Sequence, residues 1–485
     1  MVTAPTPRRP SSGRDAGWLA GADLIAVVLA FFGQILLANA LLAQHYGWMV
    51  LAIDLYASLF LIIDLGLPTL LARDGAKAPD MVRPAVWRIY RWQLALALPF
   101  LFLALLLKPD RLLNIAPPSE LLVLAALIGL AHIASYAPRS GLRVLGEARL
   151  EAVSKLIERI VTVLGYALLY NMGSTSVTGF AAVFLLGATV GWIVSLAFLL
   201  QRTSSYPPSQ EWSRMDQCWA SPRALIWSAL PFAITLGILP YVIRIEKFMV
   251  AASGGSELAA VFHVAQLAWL AGLVVPAALR SALLPVLGES RAQKLTKHRE
   301  MNASLDMCFA LLPYGLFGGY VIVAVFAPIA FPANYFDGTY GASAVDIFAL
   351  LLLGWGCTLL ATPTYTSLVA GKNPWRFTQF IVIVLIFAFF LGWSMVLNGP
   401  QRPGDRLMVA ALASSLSAAG MLFLSWILSE DMDFIKARRD DWALALLCSL
   451  FIVIGLMTQT AWWILGLPLF LFTKQGLTAM RSTLR

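Results

Sequence analysis

Uninterrupted apolar runs, each long enough to cross a bilayer as a helix, recur from Trp18 to the end of this chain, and they dictate the solvent in which it folds. A hydrocarbon core of about 30 Å takes roughly 20 apolar residues at the helical rise. With 59% hydrophobic and 13% charged residues, the chain has too little polar surface for water-soluble domains. In lipid every backbone N–H and C=O must find its partner within the protein, and the runs lack the period-two alternation of barrel strands. The expectation is an all-α integral membrane protein of about 14 transmembrane helices, arranged as two pseudo-symmetric six-helix lobes with two C-terminal helices added.

Spans are expected near 19–43, 48–72, 92–107, 121–143, 152–171, 177–201, 224–251, 257–284, 302–328, 343–370, 377–397, 407–429, 442–458 and 461–479. Lys and Arg accumulate on the cytoplasmic side of short-looped membrane proteins. With the N-terminus inside, 29 of the 35 cationic residues fall in cytoplasmic segments or adjoining helix ends. Lys108, Arg111, Arg402 and Arg406 fall outside, and Arg244 and Lys247 lie within the seventh span. Removing one span mixes the two populations, so the parity supports fourteen and places both termini in the cytoplasm. The polar opening MVTAPTPRRPSSGRD is followed by an apolar run without a small-x-small cleavage site, which reads as a retained anchor. The net charge of +9 then reflects topology and attraction to anionic lipid, not nucleic acid. Cys218, Cys308, Cys357 and Cys448 fall in spans or cytoplasmic loops, so no disulfide is expected.

The organisation reads as a cytoplasmic tail (1–17), an N-lobe of spans one to six (18–204), a cytoplasmic linker (205–223), a C-lobe of spans seven to twelve (224–430) and two extra spans (431–485). A faint repeat supports the duplication. Pro138 lies eight residues before Gly146 in span four, and Pro363 eight before Gly371 in span ten; Pro68 precedes Arg73 in span two much as Pro276 precedes Arg280 in span eight.

Catalytic machinery is missing from the pattern. The four histidines (His45, His132, His263, His298) have no ligand spacing, and no P-loop, dinucleotide cradle or nucleophile elbow occurs. No loop is long enough to carry the carboxylates or metal of a membrane glycosyltransferase. The chain therefore reads as a transporter and not an enzyme, without a cofactor, driven by an H+ or Na+ gradient if it is coupled at all.

Ionisable residues inside spans cost roughly 2.5–3.5 kcal/mol each on insertion scales, so each needs a partner, water or a function. Asp54 and Asp64 in span two, with Glu246 in span seven, are the candidates for ion coupling. Arg244 and Lys247 share a face of span seven, where they either snorkel to headgroups or meet an anion. Arg139 and Arg143 in span four, Arg159 in a charged stripe of span five with Glu151, Lys155 and Glu158, and Arg280 at the end of span eight complete a cationic set facing the cytoplasm. Each alone fits boundary anchoring; together they suit a lipid pyrophosphate leaving water. Gln34 and Asn39 on span one are neutral candidates, as cavity residues or as interhelical hydrogen bonds.

Three stretches carry a family resemblance. HYGWMVLAIDLYASLFLIIDLGLPTLLARDGAK, with its Tyr-Gly pair and Asp-Leu-Gly-Leu leading to Arg73, IRIEKFMVAASGGSELAAVFHVAQLAWL, and SALLPVLGES resemble polysaccharide flippases of the multidrug, oligosaccharidyl-lipid and polysaccharide exporter superfamily. The resemblance implies a V-shaped pair of six-helix lobes, a cavity lined by spans one, two, seven and eight, and arginines within it. It also implies an undecaprenyl-pyrophosphate-linked oligosaccharide as cargo and a bacterial inner-membrane location, with membrane lipids, a polysaccharide polymerase and glycosyltransferases as partners. Span one departs from the pattern, since its only charge is Asp23. Alternatives are a lipid II flippase, which shares the fourteen-helix plan, and a non-transporting scaffold for glycan-synthesis enzymes.

Overall fold

The computed structural model describes residues 12–483 apart from 62, 108–112, 114, 207–210, 290–293, 372, 430–437, 459 and 461; the expected outer residues Lys108 and Arg111 lie outside this set. Among the described residues every regular element is helical. The first half contains α1 (Ser12–Ala40), α2 (Ala43–Phe60), α3 (Leu67–Asp74), α4 (Val82–Leu107), α5 (Ser119–Val144), α6 (Ala148–Asn171), α7 (Val177–Thr203) and α8 (Pro222–Gly272). The second contains α9 (Val274–Glu289), α10 (Lys294–Pro313), α11 (Gly319–Ala330), α12 (Ala344–Val369), α13 (Pro374–Gly392), α14 (Pro403–Ser429), α15 (Arg439–Thr458) and α16 (Lys474–Thr483). Nine helical stretches among the described residues are long and apolar enough to cross a membrane by length and composition.

Several spans among the described residues depart from continuous α-helix, with π-helical turns at Tyr314–Gly318 and Trp393–Leu397. Span two is interrupted between α2 and α3, where Leu65 (φ 52) and Gly66 (φ 65) adopt left-handed backbone and Pro68 restarts the helix. A left-handed leucine costs roughly 1–2 kcal/mol, so packing must impose it. A Cβ on Gly66 would lie 2.6 Å from the Ala233 backbone nitrogen and 2.6 Å from the Phe232 Cβ, which makes glycine obligatory for that approach. The last span is also corrected: its apolar segment Trp462–Phe472, which contains Pro468, winds as a 3-10 helix before α16 begins. In α8, 51 residues run without a loop. At the α-helical rise that would stretch about 75 Å, over twice the hydrocarbon thickness. Gly255 (φ 83, ψ 179) breaks it, a backbone open essentially to glycine alone. Gln266 donates to the Ile243 carbonyl at 2.8 Å, and Lys247 Nζ lies 3.2 Å from His263 Nδ1. One index falls as the other rises, so the two arms form an antiparallel hairpin about Gly255, and spans seven and eight are one element folded back on itself.

Contacts read in the same way give helix directions. Asp23 meets Lys155 and Gly33 faces Val163 and Tyr166, so α1 and α6 run parallel. Gly354 faces Ser415 and Thr364 meets Ser425, so α12 and α14 are parallel too. Arg139 with Glu158 and Arg143 with Glu151 make α5 and α6 antiparallel. The directions agree with the parity of odd and even spans.

The described residues divide into two compact units, 1–241 and 242–485, and the division falls within α8. The opening stretch of α8, residues 222–241, belongs to the first unit because Leu225 and Ala229 enter its buried cluster with Leu70, Leu71, Val82, Ile89, Leu142 and Trp219. Residues of the expected linker are built into that unit as well. Trp219 is buried and donates from Nε1 to Asp74 Oδ2 (3.1 Å), Arg88 stacks over Trp212 at 4.7 Å, and Asp216 caps Cys218 while pairing with Lys77.

Packing recurs between the units. α5 packs extensively on α7 as α12 does on α14; α2 packs on α5 as α9 does on α12; α4 on α5 as α10 on α12; α6 on α7 as α13 on α14. Six spans separate the members of each correspondence, and Pro138 and Pro363 lie within the paired helices α5 and α12. Small residues permit these approaches without a hydrophobic driving force. A Cβ on Gly354 would lie 3.1 Å from the Ser415 Cα, and Ser415 Oγ donates to the Leu350 carbonyl while receiving the Gly354 N–H.

Candidate functional site

The charged side chains of the first unit converge on α5 and α6. Arg139 and Arg143 are four residues apart on α5, Glu151 and Glu158 seven apart on α6, so each pair shares a helix face and the two faces meet as rungs. Arg139 Nη2 donates to Glu158 Oε2 at 2.7 Å, with the two residues 8% and 3% exposed. His132 Nε2 approaches the other carboxylate oxygen at 3.2 Å, and Arg159 lies 3.8 Å from it. The second rung is bidentate: Arg143 Nε to Glu151 Oε2 at 3.0 Å and Nη2 to Oε1 at 2.5 Å. Lys155 extends the network to Glu151 (3.3 Å) and to Asp23 on α1 (3.0 Å).

Arg139 and Arg143, expected as members of a cationic set, each meet an acid of α6. Desolvating the buried Arg139 guanidinium without an acid would cost several kcal/mol, and α6 supplies an acid to it and to the exposed Arg143. Lys155 and Arg159 add further positive charge on the same side of α6. Together with Asp23, Ala26, Val27, Ala30, Arg139 and Glu158 they line a cleft of about 320 Å³. Three cations stand there against two carboxylates, leaving one positive charge.

Glu158 is accommodated because α7 carries glycine opposite it. Cβ atoms on Gly187 and Gly191 would lie 2.0 Å from Thr162 Oγ1 and 2.7 Å from the Glu158 Cβ. The segment GATVG (187–191) is the small-xxx-small pattern of closely packed membrane helices, a signal present in the sequence but not used in its reading. His132 and Gln93 also escaped that reading, because a lone polar residue in a span carries no spacing.

Asp64 sits in the break of span two. It is buried and receives Gln93 Nε2 at 3.0 Å. Asp54 is half-buried on α2, one helical stretch away. Gln34 accepts from the Tyr46 hydroxyl at 2.8 Å, linking α1 to α2, and Asn39 donates to the Ile35 carbonyl of its own helix at 2.9 Å.

In the second unit the expected Arg244–Lys247 pair separates. Lys247 has 0% exposure, enclosed beside His263 in the α8 hairpin instead of snorkelling, while Arg244 is partly exposed. Neighbouring Glu246 is buried and receives the Ser417 hydroxyl of α14 at 3.3 Å. Arg280 on α9 is exposed. Arg406, expected at the outer surface, is buried; it donates to the Ser253 carbonyl, to the Pro400 carbonyl (3.2 Å) and to Gln401 Oε1 (2.9 Å), which pins the hairpin turn. No group of three or more His, Cys, Asp or Glu suited to a metal occurs among the described residues.

Solved structures share this fold. The chain superposes on the lipid II flippase MurJ in an inward closed conformation with a TM-score of 0.63 at 14% identity, over 96% of this chain and 99% of that one. An inward-facing multidrug resistance MATE transporter of the MOP superfamily gives 0.59 at 14% identity, over 84% and 95%. A MOP superfamily transporter from Pyrococcus furiosus, described as having a binding pocket of reverse polarity, gives 0.59 at 13% identity, over 88% and 97%. Comparison with curated protein sequences finds no match. The fold is thus that of multi-pass membrane transporters. A family model described as "Polysaccharide biosynthesis protein" matches residues 12–291, more than half of the sequence, and the chain belongs to that family.

Proposed function

We propose that the protein is a flippase that moves an undecaprenyl-pyrophosphate-linked oligosaccharide from the inner to the outer leaflet of a bacterial inner membrane, by alternating access, for surface polysaccharide biosynthesis. A sugar headgroup entering hydrocarbon loses hydrogen bonds at roughly 2–7 kcal/mol per unpaired polar group, so a protein route is required. The observation that carries the reading is the cationic cleft on α1, α5 and α6, set among helices whose outer faces are apolar. Cationic donors that replace the hydration of a pyrophosphate are the chemistry such a route needs. The family supports the polysaccharide pathway, and the fold supports transport. Asp64, Asp54 and Glu246 are proposed to couple movement to an H+ or Na+ gradient, with polymerase and glycosyltransferases acting alongside.

The test is reconstitution of the purified chain into liposomes carrying a labelled lipid-linked oligosaccharide, with glycosidase accessibility reporting the outer leaflet. Replacing Arg159 by Gln is expected to slow translocation about tenfold, the weight of one charge-assisted contact. An unchanged rate refutes the cationic role. Absence of translocation by the unaltered chain refutes the flippase reading in favour of a scaffold, and faster movement of lipid II than of oligosaccharide reassigns the cargo.

A further inference from the structure

Span eight joins the second arm of α8 to α9, and the helix is interrupted between them at Leu273. The cause lies three residues on. Pro276 has no N–H, so the Gly272 carbonyl, four residues before it, has lost its α-helical donor. The Leu273 N–H is shared between the Trp269 and Leu270 carbonyls (3.2 and 3.1 Å), and the ladder resumes where the Ala277 N–H meets the Leu273 carbonyl at 3.0 Å. A carbonyl at membrane depth is too costly to leave unmet. Its donor comes from another span: Trp355 of α12, buried, donates from Nε1 to the Gly272 carbonyl at 2.9 Å. Two glycines seat the indole. A Cβ on Gly272 would stand 3.1 Å from Nε1, and a Cβ on Gly315 would overlap the six-membered ring. Gly315 belongs to the π-helical turn Tyr314–Gly318 between α10 and α11, where the extra residue per turn widens the helix beside the ring. Spans eight, nine and ten therefore meet at one side chain.

We propose that span eight bends at a hinge between Gly272 and Pro276, and that Trp355 is the latch that holds it at one angle. A hydrogen bond inside a helix travels with the helix; this one is anchored on α12 and survives at only one tilt of α9 against α12. Straightening α9 does not replace it, because Pro276 still offers no N–H, so the population of any other tilt is set by the strength of the indole bond. Arg280 lies about two turns beyond Leu273 on α9 and is exposed, so a change of tilt carries its guanidinium with it. The hinge holds whatever the cargo is; alternating access gives it a use and makes Trp355 a positioning residue for the second half of span eight.

The experiment measures distances between nitroxides by pulsed electron paramagnetic resonance on the full chain in nanodiscs, without cargo. The labels sit at Ala278→Cys on α9 and Gln379→Cys on α13, both exposed positions, with the four native cysteines replaced by alanine. Trp355→Phe keeps an aromatic ring and removes the donor; it is expected to raise the population of a second distance about fivefold, the weight of one hydrogen bond. Gly315→Ala, which crowds the ring from the far side, is expected to act in the same direction. Pro276→Ala supplies the missing N–H to the Gly272 carbonyl, so it is expected to shift the mean distance as α9 straightens and to make a combined Trp355→Phe silent. A distribution unchanged by Trp355→Phe overturns the latch. Equal broadening by Trp355→Phe with and without Pro276 reduces the indole to packing and overturns it too. A mean distance unmoved by Pro276→Ala, a change that adds a backbone bond and does not threaten the fold, overturns the hinge. These distances are read without cargo, so failure of the chain to translocate lipid-linked oligosaccharide defeats the flippase reading and not the hinge.

Discussion

Removing one partner of the Arg139–Glu158 pair should cost far more than removing both. At 8% and 3% exposure the pair is largely shielded from water at the edge of the cleft. Breaking a buried ion pair typically costs about 3–5 kcal/mol, whereas replacing both members by apolar side chains of similar volume is often neutral. The surroundings make the two single variants unequal. Glu158→Met strands Arg139, whose Nη2 hydrogen bond goes to Glu158 and whose buried Nε has no partner, so the full penalty of about 3–5 kcal/mol is expected. Arg139→Met leaves Glu158 beside His132 at 3.2 Å and Arg159 at 3.8 Å, so its cost should fall below that range. The double variant should lie within about 1 kcal/mol of the parent, giving a strong positive coupling in the cycle. Equilibrium unfolding in mixed micelles, read by far-UV circular dichroism on all four proteins, measures it; the larger single effect corresponds to a hundredfold or greater change in the equilibrium, by the rule of about 1.4 kcal/mol per tenfold. Additive single effects, or equal ones, would refute the buried-pair argument.

Gly191→Ala should push the Glu158 side chain away from Arg139, since the new Cβ falls 2.7 Å from the Glu158 Cβ; a loss of about 1–3 kcal/mol is expected by the same unfolding assay, against a neutral Gly318→Ala, where nothing lies within 4 Å. Docking of the segment 211–221 should weaken in acid. The Cys218 backbone N–H, followed by Lys77, holds the Asp216 carboxylate below its ordinary range, so its contribution is present above the unfolded pKa and is lost as pH falls through the depressed folded value. Labelling of Cys218 by a dipyridyl disulfide, which reacts in acid, should accelerate as the pH falls below about 5 in the parent and be fast throughout in Asp216→Asn; a flat parent profile contradicts this. Cys218 itself should label slowly with maleimide at neutral pH, because burial, then the Asp216 carboxylate, pushes its thiol up to about 11, and Trp219→Ala should speed the reaction by exposing it.

Amino-acid order alone determined the class of the molecule and the sense of its helices. Apolar runs specify membrane helices because a backbone in lipid has no other partner, and the segregation of Lys and Arg fixed the odd and even directions that the contacts of α1 with α6 and α12 with α14 display. The spacing of Pro138 and Pro363 marked two helices that occupy matching places in the packing of each unit. Pairing was different. Arg139 and Arg143 read as a ligand-facing set because nothing linear says that Glu158 and Glu151 face them; Lys247 read as a companion of Arg244 until the hairpin at Gly255 brought His263 beside it. The left-handed Leu65 and Gly66, which interrupt an otherwise apolar span, follow from how closely Phe232 and Ala233 approach. In water a helix declares its buried face by polarity, but lipid is as apolar as a protein interior, so α1, α7 and α15 are hydrophobic nearly all round and their rotation is not written in their periodicity. Which side chains meet was decided by close packing at small residues and by the need of each buried charge for an opposite one, and both exist only once the helices are assembled.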